Sequence, residues 1–195
     1  MQYISALQEF SGKEISNFLE KKDFEFTARS TAELRGWQPG DAKYKETEDT
    51  LIKIWDSLQK HAKKDNNGKV FLSDWIATWE DFKKNPTSPL EWQSLYCKYN
   101  FQLLDYGGDG VIDADEFTSV QVSFYIEERD AVAAFKKTAK GKPTISWEEF
   151  RELWEEYFNS DDPDAPGNAI FVTDSSAPGE QGYNVDIATL NYDEK

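Results

Sequence analysis

Apolar residues recur along this chain at helical spacing, in many short blocks, and runs of strict alternation long enough for strands are missing. The predicted class is all-α. The blocks also repeat as a unit: a helix, a polar loop with one apolar residue inside it, then an aromatic-rich helix. Four copies can be set in register. The best runs from Asp105 to Glu116 and is followed by Phe117. Before it lies Lys63 to Asp74 with Trp75, after it Thr138 to Glu149 with Phe150, and an eroded first copy runs from Gly12 to Asp23 with Phe24. Leu19, Val70, Ile112 and Ile145 fill the eighth place of each loop, where two loops can meet in a short two-stranded contact. The loops are therefore expected to couple in twos.

The outgoing helices carry matching stripes: Trp75, Thr78, Trp79 and Phe82; Phe117, Val120 and Phe124; Phe150, Leu153, Trp154 and Tyr157. Spacing of i, i+3, i+4 and i+7 places such residues on one helical face, so they are read as core and not as a cofactor box. Between the second and third copies, Lys83-Lys-Asn-Pro-Thr-Ser-Pro89 stops one helix and lets the next begin. This predicts an N-terminal pair of units over 1–84 and a C-terminal pair over 85–173, packed as two lobes of one globule. Residues 174–195, small, polar and acidic, are expected to form a disordered tail.

The spacing inside the loops carries the chemistry. Calcium is a hard ion that takes about six to eight oxygens, and a twelve-residue EF-hand loop supplies them from places 1, 3, 5, 7, 9 and 12, with glycine at 6 for the sharp turn. In the third copy Asp105, Asp109 and Asp113 hold places 1, 5 and 9, Val111 offers its carbonyl at 7, Glu116 closes the loop at 12, and Gly110 stands at 6. Asp105, Asp109, Val111, Asp113 and Glu116 are the predicted metal ligands, and calcium the predicted ion. Gly107 at place 3 is a defect, because it brings no ligand atom.

The other copies are expected to be empty. The second keeps Asp65, Asn67 and Gly68 but has Lys63 at place 1 and the shorter Asp74 at 12. The fourth has Thr138, Lys140, Lys142 and Pro143 at places 1, 3, 5 and 6, which leaves only Glu149 suitable. The first has Gly12 at place 1 and Asn17 at 6. A phosphate-binding loop is not made by Ala139-Lys140-Gly141-Lys142-Pro143-Thr144, since Lys136 stands where its first glycine belongs and Pro143 where Ser or Thr belongs. The basic run Lys136, Lys137, Lys140 and Lys142 is read as solvated charge, with an anion site as its alternative.

Composition narrows the partners. A net charge of -15 and a pI near 4.5 repel nucleic acid and anionic membrane before contact. Cys97 is the only cysteine, so no intramolecular disulfide forms, and His61 is the only histidine, which leaves little material for a zinc site or a Ser-His-Asp hydrolase. Met1 to Ile15 has neither a basic start nor an unbroken apolar run, so a cytoplasmic protein without a membrane anchor is expected. Met1 is the only methionine, which speaks against a sensor with an adaptable Met-rich groove.

With four such units in this order, the chain resembles the invertebrate calexcitins and sarcoplasmic calcium-binding proteins. The likeness rests on Thr50-Leu-Ile-Lys-Ile-Trp-Asp-Ser-Leu58, on Asp74-Trp75 with Trp79, and on Phe150-Arg-Glu-Leu-Trp-Glu-Glu-Tyr-Phe158 followed by Gly167-Asn-Ala-Ile-Phe171. The resemblance implies a compact four-handed globule that acts as a calcium buffer or signal protein and works as a monomer. In that family the first three loops usually carry ions, and this chain departs from the pattern at its first two. Leu34-Arg-Gly-Trp-Gln-Pro-Gly40 with Tyr44 is also similar in style to insect juvenile hormone diol kinases. That likeness implies an alternative, phosphorylation of a lipophilic diol with ATP or GTP, although no residue here is assigned a catalytic role. A calmodulin-like sensor is a further alternative, and a small lipophilic ligand in the interior is left open.

Overall fold

The breaks in the hydrophobic pattern become helix ends. The structure is a computed structural model that describes residues 18–61, 68–84, 89–124 and 126–172. In chain order these form β1 (Phe18–Leu19), α1 (Lys21–Arg35), α2 (Ala42–His61), β2 (Val70–Phe71), α3 (Leu72–Lys84), α4 (Glu91–Leu104), β3 (Val111–Asp113), α5 (Ala114–Ser123), α6 (Glu128–Thr138), β4 (Thr144–Ser146) and α7 (Trp147–Asn159), followed by a 3₁₀ turn at Pro166–Ala169. Gly12, Asn17, Lys63, Asp65, Asn67, the linker positions 85–88, the side chain of Phe82 and the tail from Thr173 lie outside the described residues.

The loops meet in twos. β1 pairs with β2 and β3 with β4, both antiparallel, and the register sets Leu19 opposite Val70 and Ile112 opposite Ile145. All four side chains are buried, because a residue at the eighth place points from the loop into the helices below it. Three loops also share a closing device. Their place-12 carboxylate turns back to accept the place-9 backbone N–H: Asp23 from Glu20 at 2.8 Å, Glu116 from Asp113 at 3.0 Å, and Glu149 from Ser146 at 2.8 Å. Each bond satisfies a donor that the start of a helix leaves open.

The stripes expected to be core are core. Trp75, Phe117, Val120, Phe150, Leu153 and Trp154 are buried, and Trp79, Phe124 and Tyr157 pack against them half-buried. Rings from α3, α4 and α7 interlock: Trp75 lies 4.8 Å from Trp92, Trp79 lies 4.9 Å from Trp92, and Trp79 stacks on Phe158 at 4.6 Å. Trp79 also meets Trp154 at 6.0 Å, so helices from both halves of the chain share one aromatic core. Gln93 on α4 donates to the Thr78 carbonyl on α3 at 3.0 Å.

Past α7 the chain folds back onto it. A Cβ on Gly167 would lie 2.5 Å from the Leu153 carbonyl oxygen, an approach that only glycine permits. Its N–H donates to Glu156 at 2.6 Å, and Phe171 then reaches Trp154 and Tyr157. Among the described residues no helix is long and apolar enough to cross a membrane.

Candidate metal site

The loop that joins α4 to α5 is built around its own carboxylates. Leu104 ends α4, and the next residue, Asp105, accepts backbone N–H groups from Gly108 at 2.7 Å, Asp109 at 3.1 Å and Gly110 at 3.1 Å. Those donors face one carboxylate because Gly108 (φ 73°) and Gly110 (φ 92°) turn the chain through the left-handed region. Asp109 in turn accepts from Val111 at 3.1 Å. At the far end Asp113 caps α5 by accepting the Glu116 N–H at 2.8 Å, and this fixes the direction in which Glu116 leaves the helix.

Asp105, Asp109 and Glu116 thereby converge, with one carboxylate oxygen from each lying within 4.8 Å of the others. Three like charges so placed repel by about 1 kcal/mol per pair even at the dielectric of water. Hard oxygens gathered this way suit a hard divalent cation, which removes the repulsion. Asp113 does not join the cluster, because its carboxylate is held at the helix cap. Val111 opens strand β3 opposite Ser146.

Gly107 has a positive role that the spacing alone does not reveal. Its N–H donates to Glu116 Oε1, and a Cβ there would lie 2.8 Å from the same oxygen. The place without a ligand is thus where Glu116 comes closest to the loop backbone.

The fourth loop has the same frame and the opposite charge. Lys142, at place 5, lies with its ammonium on Glu149 Oε1. This contact, together with the Ser146 N–H, holds the Glu149 carboxyl below its ordinary pKa and raises that of Lys142. Thr138 at place 1 turns away and donates to the Ala134 and Phe135 carbonyls of its own helix, both at 3.0 Å. The basic run does not gather into an anion site, since Lys137 faces Asp164 at 3.8 Å while Lys142 faces Glu149. His61 is exposed at the end of α2, with Nδ1 2.9 Å from the Ser57 carbonyl oxygen.

Sequence reasoning missed Arg35. It stands at the end of α1, where Gly36 (φ 68°) stops the helix, and its Nη2 donates to the carbonyls of Gln102 at 2.9 Å and Leu103 at 2.7 Å. A cation at the carbonyl end of α4 complements that helix's dipole. The guanidinium also lies 4.2 Å from the centroid of the Tyr106 ring, at place 2 of the loop. Burial lowers its pKa, while Tyr106, Asp105, Tyr99 and Glu116 act in the opposite sense. Nothing at residue 35 marks this contact in the sequence, because its partners lie 67 and 68 positions away.

No family model matches the chain. It is similar to the sarcoplasmic calcium-binding proteins I, III and IV of Branchiostoma lanceolatum, with 26% identity over 156 residues that cover 78% of this chain and 84% of the relative. It is also similar to calexcitin-1 of Caenorhabditis elegans, with 24% identity over 172 residues that cover 83% and 80%. Among solved structures, a sarcoplasmic calcium-binding protein from amphioxus superposes with a TM-score of 0.68 at 23% identity, over 80% of this chain and 86% of that one. The coelenterazine-binding protein of Renilla muelleri superposes with a TM-score of 0.57 at 17% identity, over 85% and 90%, a likeness of fold.

Proposed function

Because the chain belongs to the sarcoplasmic calcium-binding and calexcitin family of EF-hand proteins, we propose that it binds calcium and serves as a calcium buffer or signal protein, with one working site, the loop from Asp105 to Glu116. The observation that carries this reading is the convergence of Asp105, Asp109 and Glu116 inside a loop turned by glycines. Asp105, Asp109 and Glu116 would hold the ion directly, Val111 through its backbone carbonyl and Asp113 through a bridging water, as the ninth place of such loops often does. The fourth loop stays empty, since Lys142 already neutralises the one carboxylate it retains.

A buffer or a signal protein of modest response is favoured over a target-gripping sensor by the shared core. Uncovering a few hundred Å² of the Trp75, Trp79, Trp92 and Trp154 cluster would cost several kcal/mol, at about 25 cal/mol for each Å² of apolar surface. One ion at a loop short of a ligand offers little beyond that. A lipophilic guest in the interior would have to displace rings that already pack against one another, so a protein without such a guest is the reading held here. The test is the dye ANS, added with and without calcium: fluorescence should hardly change. A large calcium-dependent rise, joined by capture of a helical peptide, would assign the sensor role instead.

A further inference from the structure

Beside the loop lies a cleft of about 330 Å³, bounded by α1, α2 and residues 105–110. We propose that this cleft binds a small organic oxyanion, a carboxylate or phosphate on a compact body, anchored by Arg35 and linked to the ion in the neighbouring loop. The linkage rests on the calcium reading given above; the cleft and its anchor do not.

Arg35 is the reason to look there. It is half-buried, yet no carboxylate pairs with it among the described residues, in a chain with 37 acidic side chains against 22 basic ones. Asp105 and Glu116 influence it without reaching ion-pair distance. Nη2 is committed to the two carbonyls of α4, and Nε is buried with no acceptor among the described residues. A guanidinium partly removed from water without a counter-charge is costly, and with Nη2 committed its remaining donor capacity suits an oxygen of a carboxylate or a phosphate.

The rest of the cleft suits a compact organic body. Its floor holds the hydroxyls of Thr31 and Tyr99, 2.8 Å apart and buried. Burial pushes the Tyr99 phenol up to about 12, so the floor stays neutral at physiological pH. Trp37 and Tyr106, whose rings lie 5.9 Å and 4.2 Å from the Arg35 guanidinium, supply flat apolar surface, and Thr47 brings a small side chain from α2. A volume of this size falls at the lower end of small-molecule sites.

The charge of the cleft explains the link. Arg35 and Lys43 on its lining are balanced by Glu46 and Asp105, so an anion gains little while the loop carboxylates are bare. A divalent cation among Asp105, Asp109 and Glu116 takes their summed charge from -3 to -1, which removes most of the repulsion an anion meets beside that wall. By reciprocity the oxyanion must then tighten calcium binding by the same factor, on the order of tenfold.

The test uses the full chain and two probes, phenyl phosphate and benzoate, followed by the shift of the Trp37 indole N–H in two-dimensional NMR after calcium has been titrated by calorimetry. At least one probe should bind, about tenfold tighter with calcium than with chelator. The tighter of the two identifies the anion as phosphate or carboxylate. Arg35→Met should abolish the shift, and Thr47→Trp, which fills the cleft without touching the helix-end contacts of Arg35, should do the same while leaving the calcium heat intact. Absence of any shift in the calcium-loaded protein, or an unchanged shift in both variants, overturns the proposal while the calcium reading stands. Equal affinity with and without calcium, or no calcium heat at all, overturns the linkage.

Discussion

The loops at 105–116 and 138–149 hang from one two-stranded contact and end in the same bond from a place-12 glutamate to a place-9 N–H, at 3.0 Å and 2.8 Å. They differ in what the glutamate meets. In the first, Glu116 joins Asp105 and Asp109; in the second, Glu149 meets the ammonium of Lys142. The same frame therefore accommodates a closing carboxylate that meets other carboxylates or one that meets an ammonium. On the reading proposed above, Asp105 and Asp109 at the first and fifth places, against Thr138 and Lys142 in the other loop, would decide which loop takes an ion, not the fold of the loop.

Glutamine substitution breaks the comparison most sharply. Glu116→Gln should weaken calcium binding by about a hundredfold or more, since ligand charge count tunes such sites over several decades. Glu149→Gln should leave the calcium isotherm unchanged. Calorimetry on the two variants side by side separates them, and equal effects would mean that the loops do not divide the work in this way.

Filling the missing place should sharpen the contrast by a smaller step. Gly107→Asp adds a carboxylate at place 3, and the only contact it crowds is the far end of the flexible Glu116 side chain, at 2.8 Å. Affinity should rise by about tenfold as the ligand charge count grows. A fall in affinity would show that the close approach of Glu116 to the Gly107 N–H matters more than a further ligand.

The smallest effect belongs to the pair in the fourth loop. Its folded-state pKa for Glu149 is depressed, so the stability it contributes is present above the unfolded carboxyl pKa and is lost as the pH falls through the folded value. Lys142 is raised, so its share is present below the unfolded ammonium pKa and is lost as the pH rises through the folded one. Lys142 is exposed and Glu149 half-buried at the surface, and a pair so open to solvent contributes little. Lys142→Met should raise the Glu149 pKa, as read by NMR titration, and shift the thermal midpoint only slightly. An unmoved Glu149 titration would remove Lys142 from its role as a tethered cation.

The helices, the pairing of the loops and the aromatic core were legible because each rests on periodicity. Leu19, Val70, Ile112 and Ile145 recur at one place in a repeat, and a repeated place implies a repeated environment. The cluster of Asp105, Asp109 and Glu116 was legible from spacing, because a twelve-residue loop has few ways to arrange its oxygens. The role of Gly107 was not, since spacing marks it as a missing ligand and only the bend of the loop brings Glu116 to its N–H. Lys142 on Glu149 was not read either, although a cation at place 5 facing an acid at place 12 is the kind of signal that could have announced it. Arg35 lay beyond reach, because its meeting with the Gln102 and Leu103 carbonyls depends on how α1 packs across the end of α4.

The most direct test of the whole account is the calcium stoichiometry of the unaltered chain, measured by calorimetry with native mass spectrometry on the same sample. One ion per chain is the predicted result, lost on Glu116→Gln. Two or more ions, or one ion that persists in that variant, would contradict it.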